Sequence, residues 1–322
     1  MGKFLPGKVV TSAALEQSLG LPEGWMMRKS GVQERHWVNE EKPSEMGARA
    51  LERALQNGGL VFEDLDLIIC SAASFDYIVP FTAVLIQREL GKMHSGMPCF
   101  DLDATCLSFV MAMDVANSLI QSGRYRRIAI VTAEIASRNL NPNDHETYSL
   151  LADGAAAAIV EAAGPEDESR VLNAFMTTFP AGAEYTLLRA WGGAEPPSRC
   201  EPYPEAHRYF QMEGRNLLKF TFEHLPQFLE TLYDPLDFTL QETDLIIPHQ
   251  ASVAGLSYFK RIYHLDESKV YDNLATHGNC ISASIAMALH DAIELGKIER
   301  GQRLSLMGTA AGLSLGGVVM IY

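Results

Sequence analysis

Short apolar runs closed by polar residues recur along this chain. They alternate with stretches in which apolar residues return every three or four positions. Residues 66–74 read DLIICSAAS, and the segment before them, SEMGARALERALQNGGL (44–60), has a helical period and ends in glycines. Residues 244–252 read DLIIPHQAS and also follow a helical stretch, RNLLKFTFEHLPQFLETLY (215–233), which Pro226 interrupts or kinks. The apolar runs predict buried parallel strands, and the alternation predicts an α/β fold with mostly parallel sheet covered by helices.

DLIICSAAS and DLIIPHQAS agree at six of nine positions, 178 residues apart. The echo continues downstream. PCFDLDAT (98–105) leads to Cys106, then a helix closing on Gly123, then the strand RIAIVTAE; VYDNLATHG leads to Asn279, then a helix closing on Gly296, then RLSLMGTA. Cys106 to Gly123 and Asn279 to Gly296 are both 17 residues, and both halves end in strands rich in glycine and alanine, DGAAAAIVE and GLSLGGVVMIY. Chance resemblance between two α/β segments explains one match; the shared order and spacing favour duplication. Two halves, 1–165 and 166–322, are therefore expected as two sheets about a pseudo-two-fold axis with a shared layer of helices. Cys106 and Asn279 are then expected at helix N-termini facing one cavity. His249 falls at a strand end, where ligands collect in α/β sheets.

Charge narrows the partners. The 322 residues carry 26 Lys+Arg against 40 Asp+Glu, a balance that disfavours nucleic acid or an anionic membrane surface as the main partner. No apolar run reaches transmembrane length, and MGKFLPGKVV has no secretory apolar segment. The five cysteines show no CxxC spacing, so neither a disulfide framework nor a zinc site is expected, and a reducing cytoplasm is the simplest location.

Cys106, opening a helix, is a candidate nucleophile, because unpaired amides and the helix dipole favour thiolate over thiol. A thiolate takes an acyl group from a thioester at little thermodynamic cost, since one thioester replaces another. The backbone N–H of Cys106 offers a donor to the oxyanion formed on the way. Read as packing alone, Cys106 is a small buried hydrophobe, and Cys70, Cys99, Cys200 and Cys280 keep that reading. His249 follows a proline at a strand end, which fits a fixed neutral imidazole, and HGN (277–279) adds His277 and the Asn279 amide on a turn. One histidine N–H and one asparagine N–H can hold a thioester carbonyl as its enolate forms, as decarboxylative carbon–carbon bond formation requires. A Cys/His/Asn protease uses the same residue types, so the types alone leave both chemistries open.

At these residues the sequence resembles the thiolase superfamily, and within it β-ketoacyl-ACP synthase III and its relatives. The motifs are DLDATCLSF around Cys106, LIIPHQAS around His249, HGNCISASIAMAL around Asn279, GTAAGLSLGG at 308–317, LPEGWMMRKSGVQERHW at 21–37 and ADGAAAAIV. The resemblance covers essentially the whole chain. It implies a thiolase-like five-layered αβαβα fold, a homodimer, no metal or redox cofactor, and acyl-CoA and a malonyl thioester as substrates. An acyl group is carried on Cys106 while His249 and Asn279 assist decarboxylation, and the oxyanion hole uses the N–H groups of Cys106 and of Ala311, where relatives carry glycine. Trp25 matches the tryptophan that packs on the CoA adenine. The arginine partner of that tryptophan falls at His145, and Lys29 stands where another CoA-contacting arginine lies. An arginine for acyl-carrier-protein docking falls at Ala254, leaving Lys260 and Arg261 as a candidate docking patch or a solvated helix face.

Other departures bear on the branch of the family. The Gly/Pro-rich stretch 181–214 resembles enzymes that join two acyl chains head to head, yet Val79 stands at the position of their glutamate base, in a substrate-binding loop. Val79 argues against non-decarboxylating condensation, while the changed arginines and the 181–214 stretch point away from the initiating enzyme of fatty-acid synthesis. Tunnel depth is expected to depend on Val79, Phe81, Met111 and the 181–214 stretch. The family's first strand, expected at the centre of the first sheet, has only Met1–Phe4 to supply it, and RVLNAFMTTFP (170–180) is its expected counterpart in the second half. The leading expectation is decarboxylative condensation. Its rivals are acyl transfer from Cys106 to an alcohol or amine with His249 as base, head-to-head condensation, and an inactive partner subunit. An intact Cys106/His249/Asn279 set argues against the last.

Overall fold

The computed structural model describes residues 1–190, 192–194 and 204–322. Two sheets carry the fold. The first runs in the order β1 (Gly2–Phe4), β7 (Asp153–Glu161), β6 (Arg127–Ile135), β4 (Leu67–Ser71), β5 (Cys99–Leu102). The second runs β11 (Leu245–Pro248), β12 (Arg303–Ala310), β13 (Ser314–Ile321), β8 (Arg170–Thr178). Strand by strand the halves correspond: β4, β6, β7 and β1 to β11, β12, β13 and β8. The counterpart of β5 shrinks to one parallel bridge between Ile246 and Val270.

Both sheets are mixed rather than mostly parallel. β4 is parallel to β5 and β6, and β11 to β12, while β6–β7, β7–β1, β12–β13 and β13–β8 are antiparallel. The reason is visible between β12 and β13: a turn of only residues 311–313 joins them, too short for a parallel crossover. The first strand also differs from expectation. β1 is the edge of its sheet, not its centre, pairing Gly2 with Ala157 and Phe4 with Ala155. A three-residue strand suffices there because an edge leaves one side free of ladder partners. β8 holds the matching edge in the second sheet, as the repeat predicted.

Five layers follow from the alternation of side chains along the buried strands. Leu67 and Ile69 of β4, with Leu245 and Ile247 of β11, point to the middle, where α5 (Ser108–Gln121) and α10 (Ala283–Glu294) lie between the sheets. Ile68 and Cys70 point outward to α3 (Pro43–Gly58) and α4 (Thr82–Glu89). Ile246, Met307, Leu315 and Val319 point to α7 (Gly214–Tyr233) and α8 (Val253–Ile262). α7 runs unbroken through Pro226, which takes from the Phe222 carbonyl its helical N–H partner.

Smaller elements frame one end. A ribbon of β2 (Lys8–Thr11) and β3 (Glu34–Trp37) carries α1 (Ser12–Leu19) and α2 (Trp25–Ser30) beside α6 (His145–Leu150). α9 (Leu274–His277) precedes the Asn279 turn. In the 181–214 stretch, β9 (Thr186–Leu187) pairs with β10 (Gln211–Met212). Residues 191 and 195–203, and with them Cys200, lie outside the described residues.

Because the middle layer is shared, truncating one of its side chains loosens both halves. Ile69→Ala is expected to destabilise by about 2–5 kcal/mol, against no more than about 0.5 kcal/mol for Val84→Ala on the exposed face of α4. Urea denaturation followed by circular dichroism measures both.

Candidate active site

Two sharp turns of the same design feed α5 and α10. In the first, the Asp103 carboxylate accepts from the Thr105 N–H (2.7 Å), Thr105 takes φ +50°, and the Ser108 hydroxyl accepts from the Ala104 N–H (2.9 Å). In the second, the Asn279 side-chain oxygen accepts from the Ile281 N–H (2.9 Å), Ile281 takes φ +49°, and the Ser284 hydroxyl accepts from the Cys280 N–H (2.9 Å). A left-handed φ is costly for Thr and Ile alike, since both are β-branched, so each turn is held by its side-chain bonds. The equivalences are then Asp103 with Asn279, Thr105 with Ile281 and Cys106 with Ser282. This corrects the equal 17-residue spacing, which had paired Cys106 with Asn279. Asn279 lies four residues before α10, where its N–H donates to Leu150 and its carbonyl accepts from Ala152. Gly278, at φ +69°, makes that approach possible: a Cβ there would stand 2.9 Å from the Leu150 oxygen.

The strand copies give the same correspondence. Ser71 at the end of β4 matches His249 at the end of β11. Cys106 therefore comes from the first half, and His249 and Asn279 from the second, while their counterparts Ser282, Ser71 and Asp103 form a twin arrangement without nucleophile or imidazole. Glu134 fills the twin. Fully buried, its carboxylate accepts from the Ala73 N–H (2.9 Å), the Ser74 N–H (3.0 Å), the Ser74 hydroxyl (2.6 Å) and the Ser282 hydroxyl. Ser282 also contacts the Thr132 hydroxyl (2.7 Å) and the Ser71 carbonyl (3.1 Å).

β12 joins the active pair. The His249 N–H donates to the Met307 carbonyl (2.8 Å), and a Cβ on Gly308 would stand 2.5 Å from the His249 Cβ, so only glycine lets strand and imidazole approach this closely. Four residues beyond Met307, the turn after β12 reaches the Cys106 elbow: the Thr105 hydroxyl donates to the Ala311 carbonyl (3.5 Å), and the N–H groups of Ala311 and Cys106 favour the thiolate of Cys106. Four residues of strand span about 13 Å, which bounds the separation of the two contacts. The Asn279 amide makes a long contact to the Ala251 carbonyl (3.5 Å), and the Ala251 N–H returns to the His249 carbonyl (2.8 Å). Asn279 is thus tied to the His249 turn, and Cys106 to the same end of β12, while neither Cys106 nor Asn279 lines the cavity that reaches His249.

Burial sets their charge. It pushes the Cys106 thiol up to about 12, with the Glu134 and Asp103 carboxylates adding to the rise and the two N–H groups opposing it. The helix end therefore does not win, contrary to the thiolate expected from position: Cys106 sits in a turn ahead of α5 and beside a carboxylate. Burial lowers His249 to about 4, leaving a neutral imidazole at pH 7, and its Nδ1 has no hydrogen-bond partner. Glu134 is raised to about 6, chiefly by burial. His277 turns away, 3.1 Å from Lys3 Nζ and 3.3 Å from Asp291; burial and then Lys3 lower it to about 4.

A cavity of about 710 Å³ leads from the surface to His249. Its mouth is lined by Trp25, Lys29 and His145, with the Trp25 and His145 rings edge to face at 5.8 Å. Buried Glu16 holds the Trp25 turn by accepting from the Gly24 (2.8 Å) and Met26 (2.6 Å) N–H groups. Val79 is 83% exposed and does not line the cavity. Neither do Lys260, bound to Glu267 (2.7 Å) and Asp272 (3.1 Å), and Arg261, which lies over the Tyr258 ring. Among the described residues no three His, Cys, Asp or Glu side chains form a metal-ligand set. Sequence reasoning missed Glu134, Ser282 and Asp103: Ser282 and Asp103 emerge from aligning the two elbows, and Glu134 from its burial at the end of β6.

The family model for 3-oxoacyl-[acyl-carrier-protein] synthase III matches residues 100–180, and the model for its C-terminal part matches residues 235–322. The chain is 31% identical to the β-ketoacyl-[acyl-carrier-protein] synthase III of Aquifex aeolicus, over 100% of this chain and 97% of that protein. It is 32% identical to that of Neisseria gonorrhoeae, over 100% and 97%. A solved synthase III from Aquifex aeolicus superposes with TM-score 0.89 at 30% identity, covering 100% of this chain and 98% of that one. OleA of Xanthomonas campestris superposes at 0.86 with 20% identity, covering 100% and 95%, a likeness of fold.

Two outcomes follow from the shifted groups. Iodoacetamide labelling of Cys106, located by peptide mass spectrometry, is expected to be slow at pH 7 and to rise about tenfold per pH unit to pH 9. In Glu134→Gln, where the neighbouring negative charge is gone, labelling is expected to be several-fold faster at the same pH. The His249 imidazole binds a proton more readily unfolded (6.5) than folded (about 4), so stability is complete above 6.5 and is lost as pH falls towards 4. Its share of the loss between pH 7.5 and 5 is about 2 kcal/mol, and urea denaturation of His249→Gln should show a fall shallower by that amount.

Proposed function

The chain belongs to the 3-oxoacyl-[acyl-carrier-protein] synthase III family, and from that premise we propose how its residues divide the work of a condensing acyltransferase. Cys106 attacks the carbonyl of an acyl thioester; the carrier thiol leaves with the cysteine proton, and the acyl group stays on sulfur. A malonyl thioester then binds with its carbonyl against His249 Nε2–H and the Asn279 amide. Its carboxylate departs as CO₂, and the electron pair of the broken C–C bond moves to C2 and the thioester oxygen. C2 attacks the acyl-Cys106 carbonyl, whose oxyanion lies towards the N–H groups of Cys106 and Ala311, and the cysteine sulfur leaves to regain a proton. The net change converts acyl thioester, malonyl thioester and a proton into 3-oxoacyl thioester, CO₂ and free carrier thiol.

The observation that carries this reading is the reach of β12 and the turn after it: the strand touches His249 at Met307 and Gly308, and the Ala311 carbonyl accepts from the Thr105 hydroxyl beside Cys106. A neutral imidazole with one accessible N–H suits an enolate oxygen. A Cys/His protease needs the ion pair that burial opposes here. The chain divides at about residue 165, with the nucleophile on one side and its two assistants on the other. Trp25 and His145 at the mouth, with Lys29 beside them, suit the flat base and phosphates of CoA. Lys260 is already ion-paired, which leaves Arg261 as the freer cation for an acidic carrier protein. The exposed Phe75, Tyr77, Ile78, Val79 and Phe81 between β4 and α4 form one apolar stretch that suits a homodimer face. No helix among the described residues is long and apolar enough to cross a membrane, and the four described cysteines are unpaired, which accords with a cytoplasmic place.

The test separates the two half-reactions. After incubation with acyl-CoAs, Cys106→Ala is expected to gain no acyl mass. Asn279→Ala is expected to acylate within about threefold of the wild type while CO₂ release from malonyl-CoA or a malonyl carrier protein falls by about 10²–10³. Equal loss of both steps contradicts the role given to Asn279. Acylation followed by ester or amide product without CO₂ would replace condensation by acyl transfer.

A further inference from the structure

The cavity does not end at His249. It continues between α7 and α8, past Pro248 and Gly308, along Thr221, Leu225 and Phe228 on one side and Leu256, Phe259 and Met307 on the other. These positions belong to the core: Leu225, Phe228, Phe259 and Met307 are 7%, 2%, 7% and 3% exposed. Core packing leaves few voids larger than a water molecule, and an apolar void forfeits the contacts its lining would otherwise make. An open branch among these side chains therefore calls for an occupant that restores those contacts.

The chemistry of that occupant is read from the polarity along the cavity. The charged lining, Lys29, Glu146 and Arg215, accompanies Trp25 and His145. The branch has no charged residue, and the Thr221 hydroxyl is its single polar side chain. α7 presents Leu218, Thr221, Leu225 and Phe228 at intervals of three and four residues, a continuous apolar wall along one face. The branch opens where a thioester carbonyl meets His249, so whatever fills it is attached to the reacting thioester.

We propose that this branch is an alkyl-chain subsite, and that the protein acts on thioesters bearing a chain of several carbons rather than on acetyl and malonyl groups alone. The inference rests on the condensing function above and names its substrate class. The chain has two possible sources, the acyl group loaded on Cys106 or an alkyl substituent at C2 of the malonyl thioester. Both present the same methylene surface to Leu225, Phe228 and Phe259.

Two arms distinguish the sources. In one, the primer acyl-CoA is varied from two to twelve carbons against fixed malonyl-CoA, with acyl-Cys106 mass and CO₂ release as readouts. In the other, malonyl-CoA is compared with butylmalonyl- and hexylmalonyl-CoA against a fixed primer. In the arm that supplies the chain, kcat/KM is expected to be at least tenfold higher for chains of six or more carbons than for the shortest substrate. Thr221→Phe and, separately, Leu225→Phe should cut that long-to-short ratio at least tenfold, with thermal unfolding checking that each variant folds. Preference for the shortest substrate in both arms overturns the proposal, and so does a ratio unmoved in both variants. Absence of acylation and CO₂ release with every substrate overturns instead the function on which it rests.

Discussion

The approach of β12 to the end of β11 is the contact on which the rest of the site depends. Without a side chain at Gly308, the strand lies directly against His249, and the Met307 carbonyl fixes the histidine backbone. Three residues past Gly308, the turn that ends the same strand brings Ala311 against the Cys106 elbow, where its carbonyl accepts from the Thr105 hydroxyl. Nucleophile and imidazole come from different halves of the molecule and share no direct bond. Their relative position is inherited from one strand, which a side chain at residue 308 would push away from the histidine.

Duplication explains why such a strand exists, and divergence explains why only one of two equivalent places carries a thiol and an imidazole. Each half supplies an elbow entering a central helix and a strand end facing the other half's elbow. At the living place the pair is Cys106 and His249; at its twin, Ser282 and Ser71. The twin cannot be left empty, because a buried pocket lined with hydroxyls and amide N–H groups needs acceptors. Glu134 supplies them and takes four hydrogen bonds in doing so. That network ties the elbow of α10, and hence Asn279, to β6 and the loop after β4. The inert twin acts as the mounting for part of the active one.

What could be read from the sequence follows this division. The continuous apolar runs of DLII and its copy, and the helical period of 44–60, marked the layers because these strands are buried on both faces and no local choice competes. Cys106, His249 and Asn279 were legible through their motifs. The pairing of Cys106 with Ser282 was hidden by a difference in length: Ser282 lies 14 residues before Gly296 but Cys106 lies 17 before Gly123, so counting back from the closing glycines gave the wrong partner. The edge position of β1 and the antiparallel pairs were not legible, since strand order depends on connections and not on apolar pattern. Glu134 looked like one more acid in an acidic chain. Only its place at the end of a wholly buried strand marks it, and that depends on tertiary packing.

The protonation of the site reflects the same burial. Desolvation raises Cys106 and lowers His249, so the resting pair is thiol and neutral imidazole, with the nearest buried acid, Glu134, making the thiolate still less favourable. A hydrolase of the cysteine type gains from a standing ion pair because its acceptor is water, always present. A condensing enzyme has the opposite need: a thiolate at rest would invite alkylation and oxidation, and an imidazolium would protonate the carbanion it is meant to stabilise. Keeping both groups neutral defers charge until a thioester arrives, when the developing negative charge appears on oxygens aimed at N–H donors. The apolar surroundings that make the free site electrostatically quiet are then the same ones that make those few donors strong.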